Sequence, residues 1–304
     1  MAIMTSSSFA KLLWPGINAI WGKEYTEYPQ EWTKLGFENL TSDRAYEEDV
    51  GLSSFGLLQR KAEGGVIAYD SERQGYTTRY THAVFALGFI ITREMYEDDQ
   101  YDQVGSQKAK GLAFSMRQTK EVLAHSVFNN AFSGSVLGGD GQLLVSAAHP
   151  NVAGGTWSNR PGTYANLSEA ALEDAVINIA GWTNDRGLRI AVRPQKLIIP
   201  YTLAFEANRI LKTDGRVGTD LNDINAIKEM GMIPEVVASH YLTTGNGWFI
   251  TTDVNDGLKY FQRRADEFSP ADNDFDTENA RFKASFRCSW GFTDPRCVYG
   301  NAGA

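Results

Sequence analysis

Apolar and polar positions alternate at different spacings in successive parts of the chain, and each change of spacing predicts a change of element. From about Ser6 to Gly51 the chain is polar, with Trp14, Trp21, Tyr25, Tyr28, Trp32 and Phe37 at no single period, which predicts an extended arm. Aromatic rings that an arm cannot bury locally need a further surface, in the same chain or in a neighbour. From about Gly56 to Ile91 the pattern turns to strands, punctuated by Gly64-Gly65 and Gln74-Gly75. Tyr76 to Leu87 is rich in β-branched and aromatic residues but also in polar ones. A long, half-polar hairpin of this kind is poorly supported alone and should lie against something.

Thr92 has the character of an N-cap, followed by Glu94 and the acidic run Glu97-Asp98-Asp99, all favourable near a helix N-terminus. Tyr101, Val104, Leu112, Met116, Leu123 and Val127 then recur mostly three or four residues apart, and no proline interrupts Thr92 to Phe132. The spacing predicts one helix over 92–132, about 55 Å or more in length at 1.5 Å per residue. The alternative is a helical hairpin broken near Gly105 or Gly111. A strict heptad is lacking, which disfavours a coiled coil.

A Gly-rich link (134–141) leads through Leu143-Leu144-Val145 to His149-Pro150 and a turn-rich stretch. Leu167, Ser168 and Leu172 form a hydrophobic staple around an N-cap, opening a helix with Val176 and Ile179 on its apolar side. Lys196 to Ile199 reads as a short buried strand, and a helix follows from about Tyr201 to Leu211. Short strands are expected at Val236–Ala238, Trp248–Thr251 and Tyr260–Arg263. A long C-terminal strand, Ala280–Trp290, alternates through Phe282, Ala284, Phe286 and Cys288. Helices and strands mix without a βαβ repeat, so the class is α+β.

The 304 residues are 42% hydrophobic and 22% charged, enough apolar material for a sizeable core. We expect one elongated subunit whose parts share that core. A formal net charge of −8 argues against tight tracking of a nucleic-acid backbone, which needs a basic surface. No apolar run is long enough to span a membrane, and the N-terminal residues lack the pattern of a signal peptide. On that expectation the Asn39 and Asn166 sequons carry no glycan. Cys288 and Cys297 have no metal-ligand spacing and read as free thiols.

Catalytic motifs are missing. His82, His125, His149 and His240 are scattered, and no serine elbow, phosphate loop or dinucleotide fingerprint occurs; Gly138-Gly139-Asp140-Gly141 has the wrong spacing. Asp272 to Glu278 imitates the start of a calcium loop. It has Thr277 where the sharp turn needs Gly and Lys283 where the bidentate Glu belongs, so a solvated acidic loop is expected. No catalytic residue, metal ligand or cofactor site is therefore expected.

The order arm, hairpin, acidic helix start, long helix, Gly-rich link, compact α+β part and closing strand resembles the tailed-phage major capsid proteins with the Johnson fold. More narrowly, it is similar to the Mu-like major head subunit family. The resemblance is carried by Trp32, Gly75-Tyr76-Thr77, Ile90-Ile91-Thr92-Arg93-Glu94 with Tyr96 to Tyr101, Val145 to Pro150, Leu197-Ile198-Ile199-Pro200 and the closing strand.

That resemblance implies an N-terminal arm (1–55), an E-loop hairpin (56–91), a P-domain (92–150 with 256–282) containing the spine helix, and an A-domain (151–255 with 283–304). It implies a homo-oligomeric shell of hexamers and pentamers around loosely contacted double-stranded DNA. The partners would be a portal and separate scaffold, protease or decoration proteins, and the place of assembly the host bacterial cytoplasm. Candidate inter-subunit residues are Trp14, Trp21, Trp32, Phe37, Lys61, Arg73, Tyr76, Arg79 and Tyr80. Lys61 is the only lysine in the expected hairpin, and no covalent crosslink is predicted from it. The competing readings are an encapsulin-like nanocompartment shell and an α+β hydrolase with a dispersed site.

Overall fold

The computed structural model describes residues 18–27, 29–92, 94–95, 101–215, 224–271 and 279–304. Trp14, the acidic run 97–99 and the calcium-like segment 272–278 lie outside them. Residues 18–27 form helix α1, and a 3-10 turn follows at Glu31–Lys34. Next come strands β1 (Glu38–Thr41), β2 (Tyr46–Leu52), β3 (Gln74–Thr81) and β4 (Ala83–Ile91), then helix α2 (Tyr101–Asn129). Beyond it are the short strands β5 (His149–Pro150) and β6 (Thr156–Trp157), helix α3 (Glu169–Ala180), β7 (Pro194–Pro200), helices α4 (Ala204–Lys212) and α5 (Ala226–Glu229), and β8 (Glu235–Ser239). The chain closes with β9 (Trp248–Thr252), β10 (Leu258–Ala271), β11 (Ala280–Phe292) and β12 (Val298–Asn301). The class is α+β, as the pattern predicts.

Helix α2 has 29 residues, about 43 Å, and runs unbroken through Gly105 and Gly111, which removes the helical-hairpin alternative. Its buried positions, Ala109, Leu112, Met116, Ala124 and Phe128, follow the expected three-and-four spacing. The Thr92 hydroxyl accepts from the Met95 amide at 3.4 Å, as an N-cap should. The helix ends at Asn129, short of the expected 132. Asn130 N still donates to the Ser126 carbonyl at 3.0 Å, but Ala131 N turns to the Phe128 carbonyl at 3.0 Å, a tighter i to i−3 bond that closes the last turn. In α3 the Ser168 hydroxyl accepts from Ala171 N at 3.2 Å, and Leu167 and Leu172 are both buried, the predicted cap and staple.

Two four-stranded sheets organise the subunit. In the first, of order β1-β10-β11-β4, β1 is parallel to β10 and the other pairs are antiparallel. The second has the order β12-β9-β7-β8, with β7 and β8 parallel. One apolar cluster lies between α2 and the first sheet, and the other lies among α3, α4, α5 and the second sheet. The second sheet contributes to both: Ile198 and Phe249 enter the first cluster, while Leu197, Ile199, Trp248 and Ile250 enter the second. Period-two alternation thus places one sheet between two cores, which is how the parts share a core.

Several expected boundaries move. Residues 29–41 are not a free arm, because β1 pairs with β10 and Trp32, Leu35 and Phe37 are buried in the first cluster. The hairpin is not 56–91: β2 pairs with β3 over Tyr46–Thr81, and β4 instead joins β11 as the edge of the first sheet. A division at 282/283 would cut β11, which pairs continuously with β4 from Ala280 to Cys288. Backbone hydrogen bonding is what fixes each of these limits.

Candidate intersubunit surface and buried polar clusters

The β2–β3 hairpin is tied down on one face only. Alternate β2 residues turn inward, and among them Asp49 Oδ2 accepts from Lys259 Nζ at 2.7 Å and from Thr293 Oγ1 at 2.9 Å. Lys259 also donates to Asp256 at 2.8 Å. Burial works against the ammonium, but these hydrogen bonds outweigh it and hold its pKa above the usual lysine value. Tyr80 is buried, with its hydroxyl 2.6 Å from Thr293 Oγ1 and its ring against Phe261. A side chain at Gly291 would place its Cβ 2.8 Å from the Tyr80 ring, so only glycine allows the hairpin this close. His82, also buried, bridges Ser42 and Ser289 at 3.0 Å each.

The outward face carries Tyr46, Glu48, Val50 and Leu52, with Arg79 opposite Glu48 on the other strand; Tyr76 is in register with the inward Thr78 and Tyr80 but is itself exposed. Arg79 lies over the Tyr46 ring, 3.7 Å from its centroid, and 3.9 Å from the Glu48 carboxylate. Between the strands, residues 53–73 have no regular structure and project large apolar side chains into solvent. Leu58 is 100% exposed, Val66 and Tyr69 are each 92% exposed, and Phe55, Leu57 and Ile67 are exposed as well. Apolar groups concentrated in this way mark interaction sites on soluble proteins.

The base of this tip is held by polar contacts. Asp70 accepts from Gly56 N at 2.9 Å and Ser71 N at 2.8 Å, and these bonds hold its carboxyl below the usual range. Arg186, in the loop after α3, donates to the carbonyls of Ser54 (3.1 Å) and Ser71 (2.6 Å) and lies 3.3 Å from Asp70. Arg186→Ala is expected to speed proteolysis within 53–73 without moving the thermal midpoint of the whole chain; limited proteolysis beside a thermal melt checks this.

The structure divides the predicted contact residues. Lys61, Arg73, Tyr76 and Arg79 are exposed on the hairpin. Trp32, Phe37 and Tyr80 are buried, and Trp21 stacks on Tyr25 (5.1 Å) and Phe268 (5.3 Å). For these rings the further surface is the chain's own core. Sequence reasoning passed over Leu57, Leu58, Val66, Ile67 and Tyr69, although Phe55 to Leu58 and Val66 to Tyr69 flank Gly64-Gly65 as short apolar runs. It also passed over Arg186, which acts on the tip only through the tertiary fold.

His125 and His149 each sit in a buried polar cluster. His125 Nε2 is 2.7 Å from Ser239 Oγ, which donates to Glu31 Oε2 at 2.8 Å. That resembles a nucleophile with its base, but Ser239 and His125 are both buried, and the serine proton is directed at a carboxylate. His149 Nδ1 contacts Asp140 at 2.6 Å and its ring stacks on Trp157, clamping the Gly-rich link to β6. Burial pushes the Cys288 thiol up to about 11 and raises that of Cys297 well above the usual thiol value, so neither is a thiolate at neutral pH. Among the described residues no group of three or more His, Cys, Asp or Glu side chains is placed to hold a metal ion. No helix among them is long and apolar enough to cross a membrane.

Comparison with known proteins places this geometry. The sequence model of a family described as phage capsid protein matches residues 75–301. No curated protein sequence matches. Among solved structures, the virus-like particle from Pyrococcus furiosus aligns with a TM-score of 0.54 at 10% identity, over 94% of this chain and 97% of that one. Mycobacterium phage Patience gives 0.54 at 10% identity over 97% and 87%. The procapsid of bacteriophage JBD30 gives 0.51 at 13% identity over 97% and 75%. At such identities the likeness is one of fold, and the fold is that of phage major capsid proteins.

Proposed function

The chain belongs to the phage capsid protein family, whose members are structural, and on that premise we propose that it is the major subunit of an icosahedral phage head. It assembles from hexamers and pentamers of itself and encloses double-stranded DNA. The observation that carries this reading is the hairpin tip. An apolar segment held on a polar base, outside both cores, requires a neighbour to cover it, and a self-assembling shell supplies one. Lys61, Arg73, Tyr76 and Arg79 flank that contact, with Trp14 a further candidate outside the described residues.

In the family's terms, the β2–β3 hairpin and its tip act as the E-loop. Helix α2 and the first sheet act as the P-domain with its spine, and the second sheet with α3 to α5 acts as the A-domain. Within the family, Ile90 to Glu94 and Val145 to Pro150 support the Mu-like subgroup. The net charge of −8 suits a wall that touches DNA loosely, since tight phosphate binding would hinder packing and ejection. A portal and separate scaffold, protease or decoration proteins complete the particle, which is built in the host bacterial cytoplasm. The family match favours this over a cargo-enclosing nanocompartment.

The test is negative-stain electron microscopy of the protein expressed alone and with its neighbouring genes. Closed shells, rings or tubes are expected. A small monomer in both preparations would overturn the proposal.

A further inference from the structure

The face of the first sheet turned away from α2 carries a cationic row. On β11, Phe282, Ala284, Phe286 and Cys288 enter the first apolar cluster, so period-two alternation sends Arg281, Lys283, Ser285 and Arg287 to the opposite face. Arg264 on β10 pairs directly across from Arg287 and joins the row, its Nη2 donating to Ser285 Oγ at 3.0 Å. On the other side of β11 the partners of Arg287, Lys283 and Arg281 are Val84, Gly88 and Ile90 of β4, which carry no charge. Glu267, opposite Ser285, is an acid on the same face and leaves the row net positive. Arg264, Arg281 and Lys283 are exposed. Like charges directly opposite one another, as in Arg264 and Arg287, weaken a sheet. In a chain of net charge −8 such a row calls for an anion from outside the sheet.

The sequence supplies a matching one. Residues 272–278, between β10 and β11, read Asp-Asn-Asp-Phe-Asp-Thr-Glu, with a carboxylate at every second position and no cation. In extended form such a sequence puts Asp272, Asp274, Asp276 and Glu278 on one side about 6.8 Å apart, the repeat on which the β11 row is built. A chain's own segment cannot serve the whole row. Ala271 pairs with Arg281, so residues 272–279 leave and return at one end of the sheet and, looped back, reach at most about 14 Å. Arg287, with Arg264 beside it, lies about 20 Å along β11 from that end.

We propose that residues 272–278 of a second copy lie along the basic face of the first sheet, their carboxylates meeting Lys283, Arg287 and Arg264. The inference rests on the reading of the chain as a shell subunit and names one contact between its copies. That contact is head-to-tail, since the end of one sheet meets the face of the next, and repeated contacts of this kind close into rings when the rotation between copies allows it. It is separate from the apolar hairpin tip, and unlike the tip it weakens as salt is raised.

The experiment exchanges the charges. A face variant carries Arg264→Glu and Arg287→Glu, a loop variant carries Asp274→Lys and Asp276→Lys, and a third chain carries all four. Each two-site variant is expected to need at least about tenfold more protein than the wild type to form shells, read by light scattering and electron microscopy, because like charges then face each other. The four-site chain is expected to return to within about threefold of the wild type. A four-site chain no better than its parents would overturn the proposal. So would a loop variant that assembles normally, a result that stands whether or not the face variant folds. A face variant with normal shells that loses only its retention of duplex DNA would assign the row to nucleic acid and overturn the contact as well. If the wild type forms no shells, the shell reading fails by itself, and the contact is read by sedimentation of the two variants mixed at low salt, where each meets its opposite charge only in the other. Association of the mixture beyond that of either variant alone is expected, and its absence would overturn the contact.

Discussion

A chain in which residues 57–69 are replaced by a Gly-Ser turn is expected to fold as the parent does and to fail to close into shells. Gly56 and Asp70 are already joined by a 2.9 Å hydrogen bond, so a short turn spans the remaining gap without strain. None of the removed side chains belongs to either apolar cluster. Shortening the loop changes its closure entropy by less than about 1 kcal/mol. The thermal midpoint should therefore stay within a few degrees of the parent's, while sizing chromatography and electron microscopy show small species only. Loss of the cooperative melt would mean that the tip belongs to the subunit's own core. Normal shells would place the contacts between subunits elsewhere.

Trp32→Ala should have the opposite profile. Trp32 is 6% exposed, packs edge-on against Trp290 at 4.8 Å and against Tyr260 at 5.1 Å, and donates from Nε1 to Gln30 Oε1 at 2.8 Å. Truncation removes that burial and leaves a cavity where the segment enters the core, at a cost of about 3–5 kcal/mol. Against a typical stability of about 5–15 kcal/mol this is a large fraction, so the denaturation midpoint of the isolated chain should fall steeply. An unchanged midpoint with defective assembly would return Trp32 to the role of a contact between subunits, the role its isolated position in the sequence suggested.

These two residue sets also show what the sequence made legible. Regular periodicity was reliable: α2, the capped α3 and the alternating β11 lie close to where spacing and caps placed them, because each satisfies its backbone through local or simply repeating contacts. The segment around Trp32 has no period because it is a 3-10 turn and a short parallel strand, fitted side chain by side chain to β10, β11 and α2. Nothing local marks such a fit. The strand β2, Tyr-Glu-Glu-Asp-Val-Gly-Leu, reads as polar arm because its inward residues meet Lys259 and Thr293 more than two hundred positions away. Glu121 and His125 were hidden for the same reason. On a helical wheel they interrupt the apolar face, and only the folded chain brings Glu31 and Ser239 to them. The tip was legible in part. Its glycines marked a turn, but exposure is a property of the fold and cannot be read from two short apolar runs.

The second sheet, with a packed core on each face, also determines how the subunit can deform. A force that slid one half of the subunit past the other would have to shear Ile198 and Phe249 out of one core, or Leu197, Ile199, Trp248 and Ile250 out of the other. Interiors packed to crystal-like density resist that movement. The body of the subunit is therefore stiff across the second sheet, and compliance is concentrated in the two-stranded hairpin and its tip. A container built from such pieces would stretch at its seams and keep its tiles rigid, so the pressure of its contents would load the hairpins first.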